Sequence, residues 1–253
     1  MTFRAFGIDH LVALCAIFAL GVLIISLGRK CSPAGRRLLG YSLGSVLIAY
    51  VTVTYLLLWS TKSLSWEYSL PLELCHWVLA ACLLSLYTGS RFAAEIAYFW
   101  GLAGTLQALL TPEISLGFPS WEFILFFWAH GAVILAIAFI VGVQKHGPRK
   151  GSIARMMLAL NGYGLVAGAC DAIFGWNYGY LRSKPTRPSM MDWLGPWPWY
   201  LLSLEGVAVV SFCILHLVWR LSRQLSANGD GAASEAGSVP HDKDHGRQSR
   251  REA

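Results

Sequence analysis

Residues 11–27 read LVALCAIFALGVLIISL, with no charged side chain, and Gly28, Arg29 and Lys30 close the run. A helix needs roughly 20 apolar residues to cross a bilayer, and residues 8–27 meet that length. No small-residue cleavage site follows, so the segment reads as a retained anchor and not as a removed leader. The pattern then recurs. Apolar runs span residues 8–27, 38–59, 70–87, 92–110, 121–143, 153–174 and 199–219. Inside hydrocarbon every backbone amide must be satisfied within its own segment, which leaves helices as the reading. The expected fold class is all-α: a polytopic transmembrane bundle of about seven helices. Residues 1–225 form the membrane domain. Residues 226–253, rich in Gly, Ser, His, Asp and Arg, are expected to be a disordered cytoplasmic tail.

Composition agrees. Hydrophobic residues make up 55% of the chain and charged residues 13%, against about 25% charged in soluble domains. The net charge of +6 does not point to nucleic acid, because the basic residues fall in short gaps between apolar runs. There they act as topology signals. Arg29, Lys30, Arg36 and Arg37 follow the first run. Lys145, Arg149, Lys150 and Arg155 follow the fifth, and Arg220 and Arg223 the seventh. Those loops are expected in the cytoplasm, with the N-terminus outside and the C-terminus inside. The last outer loop, with Arg182, Lys184 and Arg187, is the dissonant element. The six cysteines show neither CxxC spacing nor a zinc pattern, so no disulfide framework is implied.

Ionisable residues within spans are costly and mark function. At about 1.5 Å per residue, Cys75 lies roughly 7 Å inside its helix, His130 roughly 13 Å and Glu205 about 9 Å, all from the outer side. His10, Glu73, His76 and Asp171 share that half, while Glu95 and His216 lie near inner helix ends. Pro71 suits a first helical position, which puts Cys75 one turn in. A thiol nucleophile needs a nearby base. His130 sits at a compatible depth, and Glu205 is placed to orient its imidazole. His76 is the neighbour of Cys75, and their side chains diverge by about 100°. Against this stand plainer readings. A membrane cysteine packs as a small apolar group, and an intramembrane histidine bonds between helices.

The loop of residues 175–198 is long enough to be functional. Its Arg182 and Lys184 suit a lipid phosphate, and Asn177 or Tyr178 could donate to an oxyanion. Its tryptophans equally suit an interfacial belt. Asn161 reads as a cross-helix bond without chemistry. Two further classes stay open. One is a transporter whose Glu and His chain relays protons. The other is a metal site from His10, Glu73, Cys75, His76 and His130, whose spacing is irregular.

Several motifs carry a resemblance: Leu70-Pro71-Leu72-x-Leu74-Cys75, Phe99-Trp100-Gly101-x-x-Gly104, Ala108-Leu109-x-Thr111-Pro112, His130-Gly131, Asn177-Tyr178-x-x-Leu181-x-x-Lys184-Pro185, and Asp192-x-Leu194-Gly195-Pro196-Trp197-Pro198-Trp199-Tyr200. In this order the chain resembles the YwaF-like bacterial integral membrane proteins over roughly residues 70–219. That family is similar to a eukaryotic transmembrane acyltransferase of ether phospholipids, and through it to the androgen-induced membrane hydrolases of fatty acid esters. The resemblance implies a Cys–His lipid acyltransferase or hydrolase of the cell membrane, with Cys75 as nucleophile and His130 as base. It implies membrane phospholipids as partners, and neither a cofactor nor a metal. The chain departs from the family at Glu73, where histidine is more usual.

Overall fold

The computed structural model describes residues 2–185 and 190–236. Helix α1 is Ile8–Lys30, α2 is Pro33–Ser60 and α3 is Leu74–Thr88. Helix α4 is continuous through three stretches: α-helical Arg91–Ile96, π-helical Ala97–Thr105 and α-helical Leu106–Leu110. Then come α5 (Trp121–Gly142), α6 (Ser152–Phe174) and α7 (Trp199–Ala236). Five of these are long and apolar enough to span a membrane, and α3 is a shorter apolar helix. The described residues contain no strand, only an isolated bridge between Thr2 and Leu116. This is the all-α polytopic bundle that the runs predict. The chain divides into two units, Met1–His216 and Leu217–Ala253, and α7 continues from the first into the second. The α7 backbone is helical to Ala236. Arg187 and residues 237–253 of the expected tail lie outside the described residues.

Local chemistry sets the helix ends. Ser32, Ser90 and Ser120 each accept a backbone N–H three residues on, as N-caps do. Pro33 fills the first position of α2, where its missing N–H costs nothing. The third helix differs from expectation. It begins at Leu74 with Glu73 as N-cap, not at residue 70. Pro71 lies in a preceding turn closed by the Leu72 amide on the Leu70 carbonyl, 2.8 Å. Cys75 is therefore the second residue of α3.

Helix α5 is the hub. Half of its most apolar 18-residue window is buried, against 17% or less in α1, α2, α6 and α7. It packs against α1, α2, α3 and α4. Ala136, Ile137, Phe139 and Ile140 of α5 are buried, as are Leu47 of α2, Val78 and Cys82 of α3, and Ala97 and Phe99 of α4. Close approach of α4 to α5 requires Gly101: a Cβ there would overlap Ile137 Cδ1 and lie 3.1 Å from Val78 Cγ1.

A carboxylate clamp closes the Arg-rich end. Glu95 is fully buried. It accepts from Arg149 Nε at 3.0 Å, Arg149 NH2 at 3.0 Å, the Arg149 amide at 3.0 Å and Arg155 NH2 at 2.9 Å. One acidic side chain thereby ties α4, the α5–α6 loop and α6 together.

Candidate active site

Cys75 sits in the first turn of α3, where backbone N–H groups have no helical acceptor. Those amides put partial positive charge beside the thiol, but the Glu73 carboxylate at the N-cap of α3 is a neighbouring like charge for a thiolate, so the thiol depends on a base. The residue is exposed at the surface of the bundle. It also borders a cavity of about 30 Å³. Cys75, His76 and Leu79 line it from α3, Tyr50 from α2, Thr105 from α4, and Ala129, His130 and Val133 from α5. Cysteine and histidine, distant in sequence, thus share one small space.

His130 has a defined tautomer. Its Nδ1 lies 2.9 Å from the Phe126 carbonyl one turn back. A carbonyl only accepts, so Nδ1 carries the proton and Nε2 keeps a free lone pair. The Phe126 ring stacks on the imidazole at 4.2 Å and fixes its plane. The carbonyl plays the orienting role expected of a carboxylate. Glu205 does not fill that role: it accepts from Asn161 Nδ2 at 3.2 Å, joining α6 to α7. The cross-helix role read for Asn161 is what the geometry shows.

Sequence reasoning missed two polar lining residues, Tyr50 and Thr105, and passed over a third. His76 was set aside for its 100° divergence from Cys75, yet both border the cavity. Its Nδ1 is buried with no hydrogen-bond partner among the described residues. Tyr50 sits within an apolar run, its ring edge-on to Trp128 at 6.1 Å. Thr105 is the last residue of the π-helical stretch and is buried. Helices with i→i+5 bonding are rare and recur at functional sites, but nothing in composition announces one.

The loop after α6 folds over the start of α3. The Gly179 amide meets Glu73 Oε2 at 3.4 Å. The Tyr163 hydroxyl donates to the Leu72 carbonyl at 3.0 Å. Gly179 has φ 61, and a Cβ there would lie 2.8 Å from the Tyr163 hydroxyl, so only glycine fits. Tyr180 donates to Glu113 Oε2 at 2.9 Å, and its carbonyl accepts from the Tyr200 hydroxyl. Burial, and then the bond to Glu113, push the Tyr180 phenol well above its ordinary range, so it stays a donor.

The four residues expected to bind substrate serve mainly this loop. Asn177 Nδ2 donates to the Ser183 carbonyl and hydroxyl at 3.0 and 2.9 Å. Its Oδ1 accepts from the amides of Arg182 and Ser183, both at 3.0 Å. A side chain so engaged is not an oxyanion donor. The buried Tyr178 offers its amide to Asp171 Oδ1 at 2.8 Å. Arg182 NH1 caps α6 through the carbonyls of Asp171 and Trp176, at 3.3 and 3.4 Å. Lys184 reaches the Asp192 carbonyl at 3.4 Å and lies 5.4 Å from the Tyr200 ring centre. Together with Asn177, Tyr180, Glu113 and Glu122, it lines a second, wider cavity. The two carboxylates there work against an anionic ligand.

The proposed metal set does not assemble. Among the described residues no three of His, Cys, Asp or Glu are grouped to hold a metal ion. His10 is fully engaged, accepting from the Phe6 amide at 2.9 Å and donating from Nε2 to the Leu109 carbonyl at 2.8 Å.

No curated protein and no solved structure matches the chain. The family whose model does match is the TMEM164 family, over residues 5–216.

Proposed function

We propose, from the premise that the chain belongs to the TMEM164 family, that this membrane protein is an acyl-transfer enzyme acting on phospholipid esters. One observation carries the reading: Cys75 and His130 line the same cavity. Cys75 Sγ attacks the ester carbonyl, and His130 Nε2 takes the thiol proton and returns it to the leaving oxygen. A thiol is a weak nucleophile until a base removes its proton, and the free lone pair on Nε2 is that base. The Leu74 and Cys75 N–H groups at the start of α3 offer donors where the oxyanion forms, the His76 amide being bonded to the Glu73 carbonyl. The cavity is too small for an acyl chain. The exposed side of Cys75 therefore faces the substrate, whose chain stays among the lipids. The Arg-rich end reads as cytoplasmic, which supports an outer-leaflet site in the cell membrane.

A proton relay is less well supported. His10, Asp171 and Glu95 are each held in separate local bonds. Buried Leu79 and Val133 line the cavity wall and continue into the apolar core.

The test uses purified full-length protein in vesicles containing a phospholipid with a labelled acyl chain. Wild type is expected to release label and to carry it on the Cys75 peptide. Cys75→Ala loses both while keeping the wild-type unfolding temperature. Undiminished ester turnover in Cys75→Ala would end the proposal.

A further inference from the structure

The cavity beside Cys75 has a size and a lining that together select its occupant. About 30 Å³ admits two or three waters at most, since a single water needs roughly 10–15 Å³. Its apolar walls are Leu79, Ala129 and Val133, all buried. Tyr50, His76, Thr105 and His130 also line it, four polar side chains for the two to four partners a buried water requires. His76 Nδ1 is buried without a partner among the described residues, and an orphaned polar atom in such a space calls for water. Cys75 borders the cavity and is also exposed at the surface, the side on which a lipid substrate must approach. A second lipid reaching an acyl-Cys75 would compete for that same exposed side.

We infer that water held by His76 and Thr105 is the acyl acceptor, so that the protein hydrolyses lipid esters. This rests on the acyl-transfer reading above. In the first step the Cys75 sulfur bonds to the ester carbonyl carbon, the C–O bond breaks, and the alcohol leaves with the proton His130 took from the thiol. In the second step the cavity water attacks the thioester carbonyl as His130 Nε2 removes one of its protons. The C–S bond then breaks, and that proton returns to sulfur. The sum is ester plus water giving fatty acid plus alcohol. His76 and Thr105 are positioning residues for the water, and His130 is the catalytic base in both halves.

The experiment follows full-length protein in phosphatidylcholine vesicles with one labelled acyl chain, in ¹⁸O-water, with a lysophospholipid added as competing acceptor. Labelled fatty acid carrying one ¹⁸O is expected, with acyl-Cys75 as an intermediate. His76→Leu and Thr105→Val are each expected to slow fatty acid release about tenfold while acyl-Cys75 builds up. A merely structural role would lower acylation and release together. Label passing to the lysophospholipid without free fatty acid would overturn water as acceptor and leave the Cys–His reading intact. Absence of any acyl adduct on Cys75 would overturn both. If His76→Leu fails to fold, the wild-type ¹⁸O result and Thr105→Val still decide.

Discussion

Replacing Arg149 and Arg155 together with alanine should damage the fold far more than replacing Glu95 with glutamine, although all three belong to one clamp. The asymmetry comes from burial. The Glu95 side chain is 0% exposed, whereas those of Arg149 and Arg155 are 44% and 38% exposed. Without Glu95, two guanidiniums remain that already reach the surface. Without both guanidiniums, a buried carboxylate keeps only the Arg149 amide of the partners described above. Stranding a buried charge costs roughly 3–5 kcal/mol. Glu95→Gln, which removes charge and keeps shape, should cost about 1–2 kcal/mol. At about 2–4 °C per kcal/mol for a chain of this size, the double arginine variant should melt roughly 6–20 °C lower and Glu95→Gln roughly 2–8 °C lower. Adding Glu95→Gln to the double arginine variant should restore part of the loss, because it removes the stranded charge. Thermal unfolding in detergent, followed by tryptophan fluorescence, reads all four proteins. If Glu95→Gln is as damaging as the double arginine change, or if the triple variant is no better than the double, the clamp does not work by burying charge.

Gly101→Ala should destabilise by roughly 1–3 kcal/mol, since its Cβ overlaps Ile137; pairing it with Ile137→Ala should recover part of that in the same melting assay. Asn177→Ala should loosen the α6–α7 loop, which limited proteolysis within residues 175–185 detects as faster cleavage, while acylation of Cys75 by a labelled lipid persists. Tyr180→Phe should cost about 1 kcal/mol by breaking the Glu113 bond. Because the folded phenol titrates above its unfolded value, the wild-type advantage should hold below pH 10 or so and vanish as pH rises through the folded value; an advantage that grows with alkalinity would contradict this.

The helices were legible because hydrocarbon imposes length and apolarity on every span, and runs such as residues 121–143 state both. Cys75 and His130 were legible as rare polar intrusions. The start of α3 was not. A proline reads equally well as a first helical residue or as part of a preceding turn, and only the fold distinguishes them. Glu205 misled because depth along a helix says nothing about azimuth: it points at Asn161. Asn177 and Arg182 looked like ligand-binding chemistry, but a long loop over a helix end must satisfy its own backbone, and they do so. The π-helical stretch was invisible, since its bonding pattern depends on packing against α5.

That stretch has a genetic consequence. A π-helical segment holds more residues per turn than an α-helix, as though a residue had been inserted into a regular coil. Deleting one residue between Ala97 and Thr105 would let the coil relax to ordinary winding. Loss of one residue alone would turn everything beyond by about 100°, but the tighter winding turns it back, so Thr105 keeps its place near the cavity wall and Leu106 stays largely outward-facing. A frame-preserving three-base deletion in this stretch would thus be absorbed by the coil and leave the hydroxyl in the pocket.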